Sequence, residues 1–158
     1  MKRLLKVAIA FVVVGSFALC AQGVKSAQGS TRTTIQKATP QDVKAMREYK
    51  GVKLGMKRED VQKAMGKPEN SSENSDDYKL TGDDTMTVHF EKDEVKAIQL
   101  AFLDAKNAPA WNDVVGDAEV NQTDSGAKHA RKVVAAENFW VSIYQTKDGS
   151  ITRITISR

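Results

Sequence analysis

The sequence predicts an α+β fold: an antiparallel sheet with short helices, built as two tandem helix–hairpin repeats in one compact domain. Three observations predict it. Short stretches with apolar residues at helical spacing stop at glycine. Longer stretches alternate apolar and polar residues and come in pairs around turn sequences. The order helix, glycine stop, hairpin recurs about 50 residues later.

The chain begins with a basic segment, Met1–Lys6, followed by Val7–Ala21 without a charge. Fifteen residues of helix span roughly 22 Å, short of a bilayer core of about 30 Å. Ala18-Leu-Cys-Ala21 and Val24-Lys-Ser-Ala27 both offer small residues at cleavage positions. Residues 1–26 read as a signal peptide, with an uncleaved signal anchor as the alternative. Cys20 is the only cysteine. Lipidation there needs a small preceding residue, and Leu19 is not one. Cys20 is therefore read first as part of the discarded segment, and second as a lipid attachment point.

The charge balance fits export. Lys+Arg number 24 and Asp+Glu 20, a formal net charge of +4. Lys2, Arg3, Lys6 and Lys25 supply all of that excess, since residues 1–27 contain no acid. The remainder is neutral, so a basic pI here predicts translocation and not nucleic-acid binding.

Residues 27–39, rich in Ser, Thr, Gln and Lys, read as a flexible leader. The first repeat is expected over 40–104. Thr39-Pro40 is a good helix start, Val43, Met46 and Tyr49 recur at helical spacing, and Gly51 supplies a stop, predicting a helix over 40–50. Val61, Ala64 and Met65 predict a second helix over 57–65, ended by Gly66 and Pro68. Residues 69–77 are polar and acidic and read as a loop. Strands are expected at Tyr78–Leu80, Thr85–Phe90 and Val95–Phe102. The second repeat, 105–158, opens with a short helix carrying Trp111, Val114 and Val115 and stopped by Gly116. A strand near 129–136 follows, then a hairpin of 139–146 and 151–157 around Lys147-Asp-Gly-Ser150. Thr87–Ile98 aligns with Val141–Ile154, which sets Phe90 against Tyr144.

The stretch Leu54-Gly55-Met56, Val61, Gly66-Lys67-Pro68, followed by an aromatic strand and two paired strands, resembles the SmpA/OmlA (BamE-like) family of small periplasmic proteins. It is also similar to the beta-lactamase-inhibitor-protein modules. The resemblance covers 54–102 and, more weakly, 107–157. It implies helices packed on one face of an antiparallel sheet. In the inhibitor branch it also implies two units in tandem whose sheet grips a protein partner. Lys57 departs from the hydroxyl residue that caps the helix in the family, and Leu19 departs from the lipoprotein signal of its anchored members.

The residues that carry chemistry point away from catalysis. His89 falls opposite Met86, Val88 and Phe90 on an alternating strand and reads as a surface residue. His129 lies among Lys128, Arg131 and Lys132, with no carboxylate to orient it. Hydrolase, metalloprotease and phosphate-loop motifs do not occur, and no cofactor or metal is expected. Glu73, Asp76, Asp77, Asp83 and Asp84 are first read as a solvated acidic loop, and second as a calcium site. The most informative strand is Phe139–Gln145, with Phe139, Val141 and Ile143 on one face and Trp140 and Tyr144 on the other. Large apolar groups on both faces suit either a central strand buried on both sides within the domain or a binding strand, because Trp and Tyr are favoured interface anchors.

The expected function is a non-enzymatic, exported protein-binding module, periplasmic or extracellular, linked to envelope assembly. The alternatives are an exported inhibitor of a protease or hydrolase, and a calcium- or small-ligand-binding protein. Trp140, Tyr144, Lys128 and Arg131 are the candidate contacts with a protein partner. Nucleic acid is not expected, and a membrane only through a lipid on Cys20.

Overall fold

A computed structural model describes residues 44–158. The expected export signal, the leader and Cys20 lie outside the described residues. The two-residue strands β1 (Glu48–Tyr49) and β2 (Val52–Lys53) pair as a small hairpin. Helix α1 (Arg58–Met65) follows, then β3 (Asn70–Ser71), β4 (Ser75–Lys79), β5 (Thr85–Glu91) and β6 (Glu94–Phe102). After α2 (Trp111–Val115) come β7 (Asn121–Gln122), β8 (Lys128–Val134), β9 (Phe139–Gln145) and β10 (Thr152–Ser157). Strands β3 to β10 form one antiparallel eight-stranded sheet in the order β3-β4-β5-β6-β10-β9-β8-β7. Each half therefore runs helix, two-residue strand, three longer strands, and the halves meet where β6 pairs with β10.

The architecture corrects the expected α+β class. The fold is mainly antiparallel β, with helices of only eight and five residues, and not a sheet layered with helices. Two segments account for the difference. The first is 44–50, expected as helix. It runs without regular structure to β1 and turns back through Lys50 and Gly51, both at positive φ (48° and 80°). That is what a two-residue type I′ hairpin loop requires, so Gly51 turns a hairpin and does not stop a helix. The second is 69–77, expected as a loop, which supplies β3 and most of β4.

One face of the sheet carries the core. Met86, Val88, Val95, Ile98, Leu100, Phe102, Val141, Ile143, Ile154 and Ile156 are all 0–1% exposed. Val61 of α1, Val114 and Val115 of α2 and Val52 of β2 complete the same cluster. The register lines these residues up across strands: Val88 opposite Ile98, Ile98 opposite Ile156, and Ile156 opposite Val141. Tyr49 meets Phe102 edge to face, with ring centroids 6.2 Å apart. Phe139, Val141 and Ile143 thus face inward, and Trp140 and Tyr144 face the other way. Phe90 points into the core and Tyr144 does not. The alignment of Phe90 with Tyr144 is therefore one residue out of phase, since a one-residue slip exchanges the faces of a strand.

Candidate functional site

Alternation places three rows of side chains on the face turned away from the core. The middle row runs Asp77, Thr87, Gln99, Thr155, Ser142, Arg131 from β4 to β8. Beside it run Lys79, Thr85, Ala101, Arg153, Tyr144, His129, and on the other side Ser75, His89, Ala97, Ser157, Trp140, Val133. The β5–β6–β10 part of this open face is short and polar. Thr85, Thr87, Gln99, Ala101, Arg153 and Thr155 line a trough of about 230 Å³ there. The β8–β9 part is aromatic and cationic. Arg131 stacks over the Trp140 ring, 4.2 Å from its centroid. Val133, opposite Trp140, is 62% exposed, and Tyr144 is 40% exposed.

The expected contacts are only partly brought together. Trp140, Tyr144 and Arg131 share the open face. Lys128 does not: it alternates with Arg131 and falls on the same side of β8 as the buried Ala130. The basic run 128–132 is thereby divided, with His129 and Arg131 on the open face. Lys132 lies on the core side, where its Nζ meets Asp117 at 2.6 Å. Sequence reading missed Arg153 and Val133. Their signal is the alternation of each strand against its buried neighbours Ile154 and Val134.

The acidic stretch forms a structural site and not a solvated loop. Asp76 is fully buried on the core side of β4. It accepts from Arg58 Nη2 at 2.7 Å and Nε at 3.2 Å, from Ser71 Oγ at 2.6 Å and from Gln62 Nε2 at 3.2 Å. Burial pushes its carboxyl up, but the hydrogen bonds from Arg58, Ser71 and Gln62, with the Arg58 charge, hold it below the ordinary carboxylate value. The Tyr78 phenol beside it is pushed up to about 12, by burial first and then by the Asp76 charge. Arg58 also donates to the Ser72 carbonyl at 2.6 Å and the Glu73 carbonyl at 3.0 Å, and lies over the Phe90 ring at 4.6 Å. The guanidinium therefore ties α1 to the β3–β4 turn.

Asp84 and Asp77 are engaged as well, whereas Glu73 and Asp83 are exposed and make no side-chain hydrogen bond among the described residues. Asp84 is buried and accepts from the Leu103 amide and Asn107 Nδ2, both at 2.8 Å. Asp77 accepts from Thr87 Oγ1 at 2.7 Å. Among the described residues no group of three His, Cys, Asp or Glu side chains is placed to hold a metal ion. His89, expected at the surface, is half-buried, and its Nε2 is buried without a hydrogen-bond partner among the described residues.

Comparison with family models, with curated proteins and with solved structures returned no match to this chain.

Proposed function

We propose that this chain is a non-enzymatic, exported protein-binding module that holds its partner on the open face of the sheet. One observation carries the reading. The core is complete on one face, yet the other presents Tyr144 and Val133 to solvent beside a half-buried Trp140 under a stacked arginine. A sheet face that only meets water is ordinarily polar, and aromatic residues beside arginine are typical anchors of protein contacts. Export rests on the basic and apolar pattern of residues 1–26. The resemblance to the SmpA/OmlA and inhibitor-protein families supports contact through a sheet, and membership in either belongs to this proposal. The calcium alternative loses ground because Asp76 and Asp84 are bound to protein donors.

A photo-crosslinking residue placed at position 140 or 144 of the full chain in its native host tests the reading. A discrete protein adduct is expected from both positions, and none from exposed Lys106 off this face. A folded chain giving no adduct from 140 and 144 would sink it.

A further inference from the structure

We infer that the partner segment held by the open face is acidic, with one carboxylate on Arg153 at the trough and a second on Arg131, and with an apolar flank against Trp140 and Val133. The inference rests on the reading that this face binds protein, and it adds the chemistry of what is bound.

Charge complementarity carries it. Neither Arg131 nor Arg153 joins a salt bridge or side-chain hydrogen bond among the described residues, and both are exposed. Among the described residues the other arginines are paired: Arg58 with Asp76, Arg47 with Glu137 and Arg158 with Glu94. Across the three rows the only carboxylate is Asp77, at the far side and already accepting from Thr87. The face therefore carries uncompensated positive charge where its aromatic groups are.

Geometry narrows the ligand further. The Arg131 Cζ stands 4.2 Å over the Trp140 ring and its N–H groups meet no acceptor among the described residues, so they are available to take a carboxylate in two parallel hydrogen bonds. Arg153 stands opposite Tyr144 on the neighbouring strand and lines the trough together with Gln99 and Thr155. These can donate to a second carboxylate. The two arginines lie two strands and two residues apart, which standard strand spacing and rise make about 12 Å between Cα positions. An extended chain covers that in about four residues, so two acids roughly four apart, separated by apolar residues, match the surface.

The experiment reads the adduct chemically. With the photo-crosslinker at 144 in the full chain, the adducted peptide is sequenced by mass spectrometry. It is expected to contain at least two Asp or Glu within about six residues of the crosslink. Arg131→Glu/Arg153→Glu is expected to cut the adduct at least tenfold, and Arg131→Gln/Arg153→Gln gives the same readout if charge reversal disturbs folding. In solution, a fluorescein-labelled decaglutamate peptide should bind the purified full chain at low salt at least tenfold more tightly than decaglutamine. That difference should vanish in the double glutamine variant. A neutral or basic adducted segment, an adduct surviving both double variants, or equal binding of the two peptides overturns the acidic reading and leaves protein binding standing. No adduct from wild type at 140 or 144 removes both.

Discussion

Two arginines among the described residues lie over aromatic rings, Arg58 over Phe90 and Arg131 over Trp140. They belong to opposite halves of the fold, Arg58 on α1 and Arg131 on β8, and serve different ends. Arg58 is 18% exposed and is met by the buried carboxylate of Asp76 together with three backbone carbonyls. Its site is closed, and each of its three nitrogens donates to hold α1 against β3 and β4. Arg131 is exposed and meets no acceptor among the described residues. The same stack is structural when the protein supplies the anion and is a binding feature when it does not.

The largest effect that can break this comparison is removal of the Asp76 carboxylate. Breaking a buried ion pair costs about 3–5 kcal/mol, and with Arg58 18% exposed the loss here falls at the low end, about 3 kcal/mol. Asp76→Ala should lose that much in urea unfolding, whereas Arg131→Ala should lose less than about 1 kcal/mol. Equal losses would erase the distinction between the closed and open stacks.

A second difference between the halves concerns their helix stops. Gly66 and Gly116 both sit at positive φ (84° and 61°), in regions that cost other residues about 1–3 kcal/mol. A Cβ on Gly66 would meet open space, but on Gly116 it would collide with the Lys44 carbonyl. Gly116→Ala should therefore lower the melting temperature more than Gly66→Ala. The reverse order would show that Lys44 is free to move aside.

Acid sharpens the closed site by a smaller amount. The Asp76 carboxyl titrates below its ordinary value in the folded chain, so the unfolded chain takes up the proton first. The stability it contributes is complete above the unfolded carboxylate pKa of about 3.9. It is lost as pH falls through the lower folded value. Urea unfolding of wild type between pH 5 and pH 2 should show this added loss, and Asp76→Asn should show a shallower fall. Parallel curves would mean that Asp76 is already protonated when folded.

The smallest expected effect is on the open side. Trp140→Ala should reduce crosslinking from position 144 severalfold while moving the melting temperature by only a few degrees. A collapse of stability instead would make Trp140 part of the folded framework.

Strands with plain alternation were legible. Met86, Val88 and Phe90, or Phe139, Val141 and Ile143, announce a buried face by period two alone. Strand β4 was not, because its inward residue is Asp76, whose partners Arg58 and Gln62 stand on a helix 18 and 14 residues away. Hydropathy reads that carboxylate as solvated, and only the fold brings it its donors. The hairpin at Lys50-Gly51 was misread for a local reason, since a glycine that ends a helix and one that turns a hairpin look alike in sequence. Of the open face, Trp140 and Tyr144 were legible as a pair opposite Phe139 and Val141. Which side was the core had to await the register with β10, and so did the company of Arg153.

The seam between β6 and β10 has a kinetic consequence. Strand β10 stands between the halves and covers the inner edge of both β6 and β9, although roughly fifty residues separate it from β6. The meanders β4–β5–β6 and β8–β9–β10 can form from local contacts, but each then shows a bare strand edge, bearing Ile98 and Leu100 on β6 or Ile154 and Ile156 on β10. The long loop must close before either edge is covered, and non-local closure of that kind slows folding. Residues 152–157 are therefore where the sheet changes from two aggregation-prone fragments into one closed surface, and polar substitutions at Ile154 or Ile156 should lengthen the time those edges stay open.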